Sequence, residues 1–410
     1  VCMLGPIGDV VLVSDPEMVR SLLIDHWQDT VKLERGRLAL ESVAVNNILT
    51  IEGDLWHRIR SLSQPAFHTQ RVVEYSGLIG ALSLKMLRSW GSDQVVEVQP
   101  LMVDVTLSVI ADILFGVSHA SVGGAPTGAL DEITRAVITE SRLLFVPPAW
   151  FPLRHRRRRD SALQLVETYI KYLVSETRRR GVDRGDVMSS LVFARLPDDQ
   201  DVLTDQEIQD TLVSLYIGGH ETTAQTLSWA FYELACNPSV QERVRTELLA
   251  VVAGEYPVYS EFERLTYFQQ FVREVFRRYP AVYQLVQREV ARSFVLGDVE
   301  LPAGIGVLMS PYLMHHLDRF WSDPFVFDPE RFAGDWRRRI PTYAYMPFGG
   351  GPRVCLGSYL AEMELFVVVG AVLMHYEVAL VEQDQVVLPD AGFTLRPSSS
   401  LPLRFRRLTD

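Results

Sequence analysis

Apolar residues recur at helical spacing along most of this chain, while strand-like alternation is confined to its start and to its last third. Val10 to Val13 read as a short strand, followed by a helix opening at "SDPEMVRSLL", where Ser14 or Asp15 caps and Pro16 sits in the first turn. From Leu33 to Thr50 the pattern weakens and predicts a loop region. "EGDLWHRIRSLSQPAF" restores helical spacing, with Trp56 and Arg60 four apart on one face and Pro65 placed to end or bend the helix. Helical periodicity then dominates from Val72 to Arg180, broken by predicted loops at "VGGAPTG" (122–128) and "VPPAWFP" (146–152).

Thr204 with Glu207 forms a capping box at the start of a proline-free helical stretch that reaches Asn237-Pro238. Such a helix spans roughly 45 to 50 Å, enough to cross a domain. Pro238 begins another helix, and "LTYFQQFVREVFRRYP" a further one that stops at Pro280. The period then changes. Residues 284–310 alternate with β-branched residues and glycine turns and predict a small sheet, and "FTLRPSSSLPLRFRRL" predicts a C-terminal hairpin. No repeat or linker divides the chain, so the expectation is one domain over residues 1–410, mainly α with small β-sheets.

Of the 410 residues, 48% are hydrophobic and 22% charged, a balance that supports a packed core rather than disorder. The net charge of −11 argues against nucleic acid or an anionic lipid surface as partner of the whole molecule. The basic runs "RHRRRRD" (154–160) and "RRRGVDRGD" (178–186) read as solvated surface near helix ends, where cations suit the macrodipole. Cys2, Cys236 and Cys355 fit neither a disulfide framework nor zinc spacing, which points to a reducing, cytoplasmic setting. The longest apolar run, Leu365 to Met374, is about half of a membrane span, so no transmembrane segment is expected.

"FGGGPRVCLG" (348–357) carries the candidate chemistry. Cys355 precedes a long apolar helix, whose N-terminal N–H groups and dipole favour a thiolate. The surrounding glycines, Gly349, Gly350, Gly351 and Gly357, permit close backbone approach to a large flat ligand. A second constellation, "GGHETT" (218–223), lies inside the long predicted helix. Its glycine pair and Thr222 can open the helix ladder locally. Glu274 and Arg277 lie three apart on one helix face, and Arg331 follows in "DPERF". His57, His220, His315 and His316 lack a second ligand at metal-binding spacing.

Phe348, Gly351, Arg353, Cys355 and Gly357 together resemble the haem-binding signature of the cytochrome P450 family, and the other motifs follow in that family's order from about residue 9 to the C-terminus. The resemblance implies a P450 fold, with a long central helix over the haem and the cysteine loop beneath it. It implies haem b held by the Cys355 thiolate. Trp56, Arg60, Arg288 and Arg353 match the positions that hold the propionates, with Phe348 and Gly357 completing the cofactor set. Glu221 and Thr222 match the acid and alcohol of oxygen activation. Glu274, Arg277 and Arg331 match a buried structural triad that holds the cysteine loop. The family's N-terminal portion ahead of the first sheet is missing, so an anchor upstream of residue 1 is left open.

The implied reaction inserts one oxygen atom from O2 into an apolar or amphipathic small molecule, by hydroxylation or epoxidation, in secondary metabolism. Substrate segments fall near Ile48 to Ile51, Phe145 to Phe151, the start of helix 204–236, Val282 to Val286 and Phe393 to Thr394, with Leu49, Gly218, Val282, Leu285, Val286 and Phe393 as pocket candidates. No flavin or iron–sulfur motif is present, so electrons from NAD(P)H must come through a separate ferredoxin or flavodoxin and its reductase, docking on a monomer. "DWRRRIP" (335–341) and Arg58 are candidates for a basic docking patch. Competing readings are a peroxide-dependent haem-thiolate enzyme and a haem-binding sensor or carrier without turnover.

Overall fold

The computed structural model describes residues 9–34, 48–116, 153–194 and 203–408, with scattered positions between 129 and 139. The loops expected at 122–128 and 146–152, the substrate segment at Phe145 to Phe151 and most of the loop region before Thr50 lie outside them. The described helices are α1 (Pro16–Arg20), α2 (Gly53–Ser63), α3 (Thr69–Arg88), α4 (Val98–Phe115), α5 (Arg154–Arg180), α6 (Val187–Val192) and α7 (Asp205–Cys236). They continue with α8 (Pro238–Val251), α9 (Thr266–Arg278), α10 (Pro311–His315), α11 (Trp336–Arg339) and α12 (Ser358–His375). The strands are short, so the molecule is mainly helical with small sheets, as expected.

The residues group into two compact units. The first comprises residues 1–33, 73–105 and 222–410, and the second residues 34–72 and 106–221. Helix α7 runs through the boundary, which falls between Glu221 and Thr222.

The first unit holds the sheets. In the larger one, strands β1 (Val10–Val13), β2 (Thr30–Lys32), β4 (Arg288–Val290) and β7 (Gly306–Met309) take the order β1-β7-β4-β2. Asp15 caps α1 by accepting from Glu17 N and Met18 N, with Pro16 at the first position, which settles the choice between Ser14 and Asp15. Val11, Val13, Leu22, Val290, Val307 and Met346 bury together beneath this sheet. A three-stranded sheet pairs β11 (Pro402–Arg407) with both β3 (Asp93–Glu97) and β8 (Tyr376–Leu380).

Two expectations fail here. The run read as helical includes β3, whose only support is its pairing with β11 about 300 residues later. The C-terminal segment is no hairpin, because β10 (Leu395–Pro397) pairs with β9 (Pro389–Ala391) and β11 turns to β3 and β8. Local alternation identified these strands and left their partners open.

Helix α7 is as long as its pattern predicts, and its capping box is present: Thr204 N donates to Glu207 Oε2 at 2.7 Å and Glu207 N donates to Thr204 Oγ1 at 3.2 Å. Two helices, Val98–Phe115 and Ser358–His375, are long and apolar enough to cross a membrane by length and composition. Yet 61% and 67% of them respectively is buried inside the fold, as in core helices. In the second unit, α5 begins with the arginine run, so Arg154, Arg157 and Arg158 stand exposed at a helix N-terminus. There the macrodipole opposes them, contrary to the expectation from sequence. The run at 178–180 does sit at a C-terminus, ended by Gly181 at φ 64°.

Candidate active site

Cys355 lies in the loop between a 3-10 turn at Gly351–Arg353 and helix α12, three residues before that helix begins. Its thiol is outside any disulfide and exposed. The Cys355 N–H donates to the Phe348 carbonyl at 3.0 Å, closing the loop on itself, and the Phe348 ring packs edge-on to Phe276 with centroids 4.9 Å apart. Gly351 adopts φ +65°, and a Cβ there would collide with the Leu23 carbonyl. So at this glycine the close approach is made by the chain's own backbone, not by a ligand as the sequence suggested.

Behind the loop, Glu274 and Arg277 of α9 are both fully buried. Arg277 donates through Nε to Glu274 Oε2 at 2.6 Å and through Nη2 to Glu274 Oε1 at 2.8 Å. Arg331 Nε lies 3.4 Å from Glu274 Oε1, and Asp328 N donates to that same oxygen at 2.9 Å. Burial raises the Glu274 carboxyl and the two arginines oppose that shift. The remaining Arg331 nitrogens hold the carbonyls of Ser322, Asp323 and Val326. All three predicted triad members therefore meet.

His315 extends this network to the cysteine loop, a role sequence reasoning missed. Arg277 Nη1 donates to the His315 carbonyl at 2.8 Å, and His315 Nδ1 lies 3.0 Å from the Arg277 carbonyl. His315 Nε2 accepts from Met346 N at 2.9 Å, so Nε2 carries no proton and Nδ1 carries it. Complete burial, next to Arg277, keeps this imidazole neutral by driving its pKa well below the usual range. The only sequence signal was the paired "HH" at the end of α10, which by itself is uninformative.

The remaining candidates divide between the units. In the first, Arg288 on β4 is 4% exposed and donates through Nη1 to Thr30 Oγ1 at 3.1 Å. Arg353 is half-buried beside Cys355. Two backbone bonds and one side-chain bond stitch the substrate segments together: Leu395 N donates to Ala281 O, Leu285 N to Met309 O, and Tyr283 OH to Gly392 O. Val282, Leu285, Val286 and Phe393 thereby share one neighbourhood, and a Cβ on Gly349 would touch Leu285 at 3.6 Å.

In the second unit, Trp56 is buried and Arg60 half-buried on α2, and Leu49 is exposed. Arg58 pairs with Glu207 at 3.4 Å. Gly219 packs so closely on Ile110 that a Cβ would overlap it, while Gly218 faces open space. His220 is buried with Nδ1 2.9 Å from the Tyr216 carbonyl, and Glu221 is 7% exposed. Helix α7 is continuous through "GGHETT", where Thr106 Oγ1 donates to the His220 carbonyl at 3.1 Å and Thr226 Oγ1 to the Thr222 carbonyl at 2.9 Å.

Among the described residues no cluster of histidines, cysteines and carboxylates forms a multidentate metal site. The donor set instead fits a haem: one exposed thiol on a loop fixed by its own backbone, with basic side chains at the predicted propionate positions, one of them buried and oriented by Thr30.

Comparison with known proteins gives concordant results. The family model for cytochrome P450 matches residues 2–403. The chain is similar to the cyclooctat-9-en-7-ol 5-monooxygenase of Streptomyces melanosporofaciens, at 29% identity over 91% of this chain and 81% of that protein. It is also similar to the cytochrome P450 monooxygenase 124 of Postia placenta, at 30% identity over 91% of this chain and 76% of the relative. A solved structure of retinoic acid-bound cyanobacterial CYP120A1 superposes with a TM-score of 0.87 at 22% identity, covering 98% of this chain and 90% of that one.

Proposed function

This chain belongs to the cytochrome P450 family and is a haem-dependent P450 monooxygenase, and from that premise we propose that the Cys355 thiolate would hold the haem iron in an enzyme that oxygenates an apolar or amphipathic small molecule. The observation that carries the proposal is the Cys355 thiol, exposed on a loop held by its own N–H bond to Phe348. Bound haem supplies the activation of O2, and a thiolate ligand pushes electron density toward O–O cleavage.

The protein's own residues do the rest. Arg288 and Arg353 would hold haem propionates, with guanidinium forks suited to carboxylates, and Arg60 and Trp56 match the remaining propionate positions by sequence. Thr222 presents a hydroxyl and Glu221 a carboxyl on consecutive positions of α7, where they would relay protons from solvent into the site. Glu274, Arg277, Arg331 and His315 keep the cysteine loop in place through Met346.

The neighbourhood of Val282, Leu285, Val286 and Phe393 lines the substrate pocket, and its apolar character disfavours strongly charged substrates. An alkenol of the kind named in the Streptomyces relative fits that character, with hydroxylation in secondary metabolism as the outcome. Electrons reach the protein from NAD(P)H through a separate ferredoxin or flavodoxin and its reductase. The surrounding compartment is cytoplasmic and the working unit a monomer.

The test is turnover of the holoenzyme with ferredoxin, ferredoxin reductase, NADPH and ¹⁸O₂ on a panel of apolar alkenols. One ¹⁸O atom in the product is expected. Product formed with hydrogen peroxide alone would favour the peroxide-dependent reading, and ligand-induced spectral shifts without any product would favour a sensor or carrier.

A further inference from the structure

A cleft of about 470 Å³ opens within the first unit, and no residue of the cysteine loop lines it. It lies between the C-terminal end of α7, the ends of α9 and α10, the loop holding Phe325 and Phe327, and the segment 386–389. Its volume falls in the range of roughly 300 to 1,000 Å³ usual for small-molecule sites.

One wall is a ladder of rings. Tyr312 stacks on His316 with centroids 4.2 Å apart, and His316 stacks on Phe325 at 5.0 Å. Burial depresses the His316 pKa to about 4, so this middle ring is neutral and acts as a stacking surface. The ladder ends at solvent, where Phe325 is 62% exposed, and Val386 and Leu388 are also exposed at the cleft. Large apolar side chains exposed around a concavity mark a binding surface.

The polar groups of the cleft select the sign of the ligand. Glu233 is buried and both its carboxylate oxygens are turned to the protein's own donors: Oε1 accepts from Tyr279 OH at 2.6 Å and Arg278 Nε at 3.2 Å, and Oε2 accepts from Asn237 Nδ2 at 2.9 Å. Arg278 directs only Nε to these partners, and its two terminal nitrogens have no hydrogen-bond partner among the described residues. They form the open half of a fork that matches a carboxylate.

We propose that this cleft is an accessory site for a small planar aromatic carboxylate, its ring continuing the Tyr312–His316–Phe325 stack and its carboxylate received by the terminal nitrogens of Arg278. The occupant sits against Tyr279, which stacks on Trp229 of α7 at 4.0 Å, and so contacts the helix that also carries Thr222.

The experiment is calorimetric titration of the holoenzyme with 1-naphthoate and with the neutral, equally shaped 1-naphthamide. Naphthoate is expected to bind one to one and at least tenfold more tightly than the amide. Arg278→Gln and Phe325→Ser should each weaken it at least tenfold, and Phe325, being exposed, keeps the test valid where Arg278→Gln does not fold. Equal affinity for acid and amide, or no binding of naphthoate at millimolar concentration, would overturn the proposal. So would binding that survives Phe325→Ser and shifts the haem absorption, which places naphthoate in the haem pocket.

Discussion

A buried guanidinium needs its donors answered, and those of Arg277 go to Glu274, His315 and Val326. Lysine cannot reproduce that fork. Arg277→Lys is therefore expected to cost about 3 to 5 kcal/mol, the usual penalty for breaking a buried pair. Denaturant titration and haem content of the purified variant check it, and a variant with unchanged midpoint and full haem would contradict the network's role. At Thr222 the prediction concerns chemistry: Thr222→Ala should keep haem and consume NADPH while product per NADPH falls about tenfold or more. An unchanged product yield removes Thr222 from proton delivery. Glu274 and Arg277 were legible as a pair because they lie three apart on one helix face, whereas Arg331, far along the chain, was linked to them only by the family resemblance. His315 was not, because what defines it is a bond to Met346, 31 positions along the chain.

Among the elements, α12 carries an anomaly with a testable sign. Glu364 is fully buried on that helix, and neither carboxylate oxygen has a hydrogen-bond partner. Burial raises its pKa well above the ordinary value. A carboxyl raised in this way is protonated in the fold, so its contribution is full below the unfolded pKa of about 4.5 and is lost as pH rises toward the folded value. Glu364→Gln should then raise the melting temperature at pH 8 and leave it unchanged near pH 4. A variant less stable than the parent at pH 8 would mean that the carboxylate is ionised and satisfied. Helix positions were legible from period and caps, as at Thr204 and Pro238. Strand pairing was not: β3 and β11 owe their places to each other across most of the chain, while β10 turns back to the adjacent β9, and short strands carry no record of partner or register.

For the whole molecule, a net charge of −11 makes any basic face conspicuous to an acidic electron donor. The predicted patch is narrower than its sequence: Arg339 binds the Arg331 and Ala333 carbonyls, whereas Arg337 lies over Trp336 and the exposed Arg338 pairs with the exposed Asp335. Replacing Arg337 and Arg338 with glutamate should slow reduction by a ferredoxin and flatten its salt dependence without altering substrate affinity. Unchanged reduction kinetics would move docking elsewhere. The central claim, that Cys355 binds the haem iron, is tested most directly by the absorption spectrum of the dithionite-reduced protein under carbon monoxide, beside Cys355→Ser. A strongly red-shifted Soret band that the substitution abolishes is the predicted result; an imidazole-like band in the parent protein, or a red-shifted band that survives the substitution, would contradict it.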